Sequence, residues 1–223
     1  MNKRLRVGVM CFLVISLFVF VTASVVRAEG EDFKRFGVKV GAMYIIPDEH
    51  FESNFRTFSE PLVGRTTIDN ALAPFLNLEY FFTRNISTEL VLTVSKHDVM
   101  FANGDVNAGS VWLLPPSLFL KYHPIPTACI SPYVGVGMNV VIPFDEKLTI
   151  LGAPYDFSVS TAVGWAVKFG FDVPIYKSKG FDLYFNADAM YYGTSTDMTI
   201  GGLGKFDLDL NPWIVSTGIG VRF

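Results

Sequence analysis

The chain has 223 residues, 50% hydrophobic, 15% aromatic and 17% charged, with two cysteines and a formal net charge of −3. Disorder needs low hydrophobicity with high net charge, a disulfide-stapled mini-protein needs many cysteines in a short chain, and a nucleic-acid binder carries a basic excess. None of these fits. A mean hydropathy of +0.36 is high for an ordinary soluble domain, so the placement of the apolar residues decides the class.

Residues 1–28 take part of that hydrophobicity. Met1 to Arg6 carries Lys3, Arg4 and Arg6, Val7 to Val26 runs without a charge, and Val26-Arg27-Ala28 offers a cleavage site. This is the pattern of a secretory signal peptide over residues 1–28, ahead of an exported domain over residues 29–223. The apolar run is long for a leader, so an uncleaved anchor helix is the competing reading, and a second cut after Ala23 is available. Cys11 lies too early, and after Met10, for a lipoprotein signal. Cleavage after Ala28 removes four basic residues and leaves 195 residues with 14 basic against 21 acidic, a net charge of −7. Cys129 is then the only thiol, so backbone pairing and packing rather than a disulfide must hold the exported fold.

The remaining chain alternates with a period of two, the signature of strands. Phe36, Val38, Val40, Ala42 and Tyr44 share a face opposite Gly37, Lys39 and Gly41. Leu76, Leu78, Tyr80 and Phe82 oppose Phe75, Asn77, Glu79 and Phe81; Leu90, Leu92 and Val94 oppose Glu89, Val91, Thr93 and Ser95. Leu118, Leu120 and Tyr122 oppose Ser117, Phe119, Lys121 and His123, and Val134, Val136, Met138 and Val140 oppose Gly135, Gly137 and Asn139. The clearest alternation sets Val163, Trp165, Val167, Phe169, Phe171 and Val173 against Gly164, Ala166, Lys168, Gly170 and Asp172. Leu183, Phe185, Ala187, Ala189 and Tyr191 oppose Tyr184, Asn186, Asp188 and Met190, and Trp213, Val215, Thr217, Ile219, Val221 and Phe223 oppose Ser216, Gly218, Gly220 and Arg222.

These eight strands predict an all-β fold, an eight-stranded antiparallel transmembrane β-barrel. No second apolar run is long enough for a helical span, so insertion after the leader must be by a barrel. A soluble barrel would also alternate, but its outer face would carry more charge. Here the large apolar faces are free of charge and the opposite faces mix glycine with isolated ions, which matches lipid outside and a polar interior. Short connections at Thr83–Ile86, Pro124–Cys129 and Pro174–Gly180 alternate with longer ones at Pro47–Asn70, Lys96–Ser110, Phe144–Asp156 and Gly193–Phe206. That asymmetry places the short turns and both chain ends on the periplasmic side. Tyr and Trp near the strand ends form an interfacial girdle, and the terminal Phe223 on an alternating strand resembles the signal read by the outer-membrane assembly machinery.

The blocks Asn77-Leu-Glu-Tyr-Phe-Phe-Thr-Arg-Asn-Ile86, Leu114-Pro-Pro-Ser-Leu118, Ser131-Pro-Tyr-Val-Gly-Val-Gly-Met-Asn139 and Asp209-Leu-Asn-Pro-Trp213, with the closing Gly220-Val-Arg-Phe223, resemble the OmpW family of bacterial outer-membrane proteins. The likeness runs through nearly the whole exported chain. It implies a multi-pass barrel in the outer membrane, in contact with its lipid, passing small hydrophobic solutes through a narrow interior with lateral exit as one route. The alternative is a structural or recognition barrel whose external loops, above all Pro47–Asn70, bind a partner; a soluble lipid-binding barrel is a third reading.

Within an eight-stranded barrel side chains nearly fill the interior, so a general diffusion pore is not expected. Phe75, Phe81, Leu114, Phe119 and Met190 are candidates for an apolar constriction, with packing as the plainer role, and Gly135, Gly137 and Gly170 either clear the lumen or mark bends. Lys39, Glu79, Lys121, Lys168, Asp172 and Arg222 form an interior charge set, read first as a structural network because buried charges must pair, with gating or selectivity as the alternative. Pro115 and Pro116 cannot donate to a ladder, so the strand there is bulged or unpaired, opening a lateral gap or merely ending the pairing. Ser95, His97 and Asp98 contain the residue types of a hydrolytic triad, but Asp98 points to the opposite face, so no catalysis is expected. No metal cluster or nucleotide motif occurs, and neither metal nor cofactor is expected.

Overall fold

The computed structural model describes residues 33–51, 67–101, 106–150, 153–155, 157–200 and 204–223; the leader and the middle of the Pro47–Asn70 connection lie outside them. The strand segments in chain order are β1 (Phe36–Ile46), β2 (Glu49–Phe51), β3 (Thr67–Ile68), β4 (Ala71–Phe81), β5 (Ile86–Thr93), β6 (Ser95–Phe101), β7 (Val106–Leu114) and β8 (Ser117–Tyr122). They continue as β9 (Ser131–Ile150), β10 (Ala153–Tyr155), β11 (Phe157–Val159), β12 (Ala162–Lys177), β13 (Asp182–Ile200), β14 (Gly204–Leu210) and β15 (Trp213–Arg222).

Eight of these close a ring in the order β1-β4-β5-β8-β9-β12-β13-β15, every contact antiparallel, with β15 returning to β1. Phe36 and Phe223 seal the seam, each donating its N–H to the other's carbonyl at 2.9 and 2.7 Å. Closure is what lets a sheet sit in hydrocarbon, since it leaves no edge of unpaired amides. Among the described residues no helix is long and apolar enough to cross a membrane.

The faces are inverted relative to a soluble barrel. Val136 and Met138 are 63% exposed on the outer wall, while Lys39 and Glu89 are 0% exposed inside it. The short turns are tightly built: the Thr83 hydroxyl accepts from the amides of Asn85 and Ile86, at 3.2 and 3.0 Å, and Asn85 exchanges bonds with His123 of the next turn.

At the opposite end the strands run well past the predicted limits. Much of the sequence expected as external loops is paired, β6 with β7, β7 with β9, β13 with β14 and β14 with β2, forming a collar above the ring. Above the lipid neither face needs to be apolar, so the period-two signal fades although the pairing continues. The outer face of β6, for example, carries an ion pair, Lys96–Asp98, at 2.9 Å.

Pro115 and Pro116 separate β7 from β8. Pairing with the neighbouring stave stops at Val91 opposite Ser117 and resumes at Ser95 opposite Leu113. On the other side the register against β9 is the same before and after the prolines, Ser117 facing Asn139 and Leu114 facing Ile142, and it shifts only higher up, between Ser110 and Trp112, so the prolines unpair one edge without inserting a residue.

Candidate functional site

The candidate site is the barrel interior, which is built in layers. Its lower layer is ionic. Glu79 and Glu89 lie directly opposite one another on β4 and β5, a destabilising pair unless cations intervene. Three lysines from other staves do so. Lys39 reaches Glu89 at 2.9 Å and Glu79 at 3.4 Å, Lys121 reaches both at 2.8 Å, and Lys168 bridges Glu89 at 3.2 Å and Asp188 at 3.1 Å. Polar neighbours complete the shell: Asn77 donates to Glu89 at 2.5 Å, Ser87 to Glu79 at 2.7 Å, and Tyr133 and Ser216 to Asp188 at 2.9 and 2.6 Å. The Lys121 ammonium also lies 3.8 Å from the centre of the Tyr133 ring.

Nearer the short turns Arg222 pairs with Asp172 at 3.3 Å and stacks over Phe81 at 4.0 Å, while Asn186 donates to Asp172 at 2.9 Å. The interior cations Lys39, Lys121, Lys168 and Arg222 are therefore matched by the carboxylates Glu79, Glu89, Asp172 and Asp188, charge for charge.

Above the ions lies an apolar layer in which Met43, Phe75, Val91, Phe119, Met190 and Ile214 are all buried. Phe119 joins the two layers, with the Lys168 ammonium 5.5 Å from its ring and Tyr192 edge-on at 6.4 Å. Glycines seat the large rings. Phe75 stands opposite Gly41, Phe119 opposite Gly137, Tyr133 opposite Gly170 and Tyr184 opposite Gly220. A Cβ on Gly137 would lie 2.4 Å from the Leu118 carbonyl oxygen and 2.8 Å from the Phe119 ring.

A model of the OmpW family matches residues 34–223. The chain belongs to the OmpW family. Outer membrane protein W of Vibrio cholerae is 28% identical over 200 residues, 84% of this chain and 88% of that protein. The crystal structure of OprG from Pseudomonas aeruginosa superposes with a TM-score of 0.69 at 24% identity, covering 87% of this chain and 98% of that one. The solid-state NMR structure of the outer membrane protein AlkL in lipid bilayers gives 0.62 at 21% identity, covering 89% and 94%. The fold and the family place this OmpW-type barrel in the bacterial outer membrane, and the short turns then face the periplasm.

The structure of this OmpW member brings Phe75, Phe119 and Met190 together in the apolar layer. Phe81 lies apart from them, below the ions, against His123 and Arg222. Leu114 corrects the sequence reading. It lies an odd number of residues from the inward Ser117 in unbroken register, so it belongs to the outer face with Trp112, not to the interior. The expected interior charges all face inward, Gly135 lies beside the Lys121 stem, and Glu89 and Asp188 complete the charge set. Their signal was available: four cations against two carboxylates would bury an excess of positive charge, and both missing acids occupy inward positions of predicted strands.

The Ser95 hydroxyl lies 3.0 Å from His97 Nε2, and His97 Nδ1 lies 3.3 Å from the Asp69 carbonyl oxygen. Asp98 turns away to Lys96. Ser87, His123 and Glu79 also meet, but Glu79 approaches the same Nε2 that faces Ser87, so it does not orient the ring from the far nitrogen. Among the described residues no group of three or more His, Cys, Asp or Glu side chains is placed to hold a metal ion.

Proposed function

We propose that the barrel passes small hydrophobic molecules from the cell exterior to the hydrocarbon of the outer membrane, entering through the collar and leaving sideways. The observation that carries this reading is the order of the layers. An entering solute meets Phe75, Phe119 and Met190 before it meets the ions, so an apolar molecule gains contacts there while a hydrated ion loses its shell. Beneath that constriction the paired ions and their ligands are buried, which opposes onward axial passage. The break beside Pro115 and Pro116, between Val91–Ser117 and Ser95–Leu113, lies where the wall is unpaired, and it supports lateral release.

Purified protein in planar bilayers should show little ion conductance. Outer membranes carrying it should take up a small aromatic hydrocarbon faster than membranes without it, and a Phe119→Lys variant should lose that gain. Uptake equal in all three membranes would reject the proposal.

A further inference from the structure

A second break lies in the wall between β12 and β13. Their ladder stops at Trp165 opposite Gly193, and the next pair between these staves is Val159 opposite Met198, made by β11. At its upper end Ser160 donates its amide to the Asp197 carbonyl at 2.8 Å, and Thr196 returns a bond to the Ser160 carbonyl at 2.7 Å. β12 meanwhile keeps its pairing with β9 up to Ala162 opposite Val141, and β13 pairs with β14 from Thr194 onward. On the inner side Asn139 and Thr194 close the interval with reciprocal hydrogen bonds of 3.1 and 3.2 Å. Gly164 is required beside them, since a Cβ there would stand 2.1 Å from the Thr194 hydroxyl oxygen.

A groove of about 660 Å³ opens at this break, with Met138, Val163 and Trp165 among its lining and Ser195, Asp209 and Asn211 beside them. Met138, Val163 and Trp165 are exposed on the lipid-facing wall. Trp165, Tyr191 and Trp213 form a row of rings with centroids 5.7 and 5.1 Å apart, the kind of aromatic belt that marks headgroup height. The groove thus has hydrocarbon-facing side chains, an aromatic face and a hydrogen-bonding rim at the membrane boundary.

We propose that this groove binds an outer-leaflet glycolipid, with the sugar headgroup held by Ser195, Asp209 and Asn211 against the face of Trp165 and the acyl chain lying over Met138 and Val163. Irregular backbone at membrane depth must be shielded or given partners, and hydroxyl groups supply them. The lining contains a carboxylate and no lysine, arginine or histidine. Phosphate therefore finds no counter-charge there, whereas sugar hydroxyls donate to Asp209 and accept from Asn211. The negative face of the indole suits the C–H face of a sugar ring.

The test uses the full barrel in phosphatidylcholine nanodiscs, doped either with digalactosyl diacylglycerol or with phosphatidylglycerol of the same chains, and follows the amide signals of Gly164, Gly193 and Ser195 and the Trp165 indole. The glycolipid should give saturable shifts at these positions and phosphatidylglycerol should not. Trp165→Leu with Asp209→Ala should weaken the response by about tenfold, Asp209→Asn alone by about threefold, and Trp112→Leu, on another part of the wall, should leave it unchanged. The milder variant keeps the test independent of whether the double variant folds. Equal shifts from both lipids, no saturable shift, or undiminished binding by Asp209→Asn would overturn the proposal.

Discussion

Replacing Glu89 by glutamine tests the ionic layer at its centre. The carboxylate is 0% exposed and receives Lys39, Lys121 and Lys168 at 2.9, 2.8 and 3.2 Å. At an effective dielectric constant of about 20, each such pair contributes about 4 kcal/mol of attraction. Three pairs, less the repulsion of Glu79 opposite, leave about 8 kcal/mol, from which the several kcal/mol of carboxylate desolvation must be subtracted. The net loss is then about 3–5 kcal/mol, the usual cost of stranding one member of a buried ionic group. Glutamine keeps the volume and can still accept from Asn77, so the loss is one of charge rather than of packing. Adding Lys168→Met restores neutrality, and Asp188 retains Tyr133 and Ser216 as donors. The double variant should therefore recover at least half of the loss. Urea unfolding in detergent micelles, with the gel-shift of the folded barrel as a second readout, measures both. Strictly additive losses, or a single variant as stable as the parent, would refute the reasoning.

Two further perturbations probe the interior and the collar. Gly137→Ala should destabilise the barrel by about 1–3 kcal/mol through the Phe119 ring and the Leu118 carbonyl, whereas Gly180→Ala, whose Cβ would meet nothing within 4 Å, should be neutral in the same unfolding assay. In the collar, burial holds the His97 imidazole below its ordinary range, so the opened state binds the extra proton and stability rises with pH. Protection of the β6–β7 amides from hydrogen exchange should fall as pH drops through about 6.5, by about 1.4 kcal/mol for each unit of depression, and His97→Gln should abolish that dependence.

What could be read from the sequence follows from where the environment was demanding. Hydrocarbon tolerates no outward charge, so Val134, Val136 and Met138, or Val163 through Phe171, announce their face unaided. The collar was not legible, because above the lipid neither face has to be apolar and nothing imposes a hydrophobic alternation on Ser195, Thr196 and Asp197, which are strand residues nonetheless. Glycines such as Gly137 were legible as inward but not in purpose. Neither lumen clearance nor bending explains them as well as the ring across the ladder, a relation visible only once register sets Phe119 opposite. Leu114 was misplaced because the two prolines hid an unbroken register.

Register also explains why the lower layer is ionic at all. An apolar filling of similar volume would match or exceed a buried ionic group in stability, so stability alone does not account for it. Lipid outside and hydrocarbon inside, however, would make the two faces of every strand interchangeable, and a slip by one residue would then cost little. With Lys39, Glu79, Glu89, Lys121 and Lys168 inside, a slip of a single strand carries a charge into the bilayer at about 2–4 kcal/mol for each lysine and strands its former partners within the barrel. The cations sit on β1, β8, β12 and β15 and the carboxylates on β4, β5, β12 and β13, so all eight staves except β9 are pinned by at least one of them. β9 contributes Tyr133 instead, whose hydroxyl is fixed between Asn186 and Asp188. The ionic layer thus favours the one register in which the barrel closes with every interior charge paired.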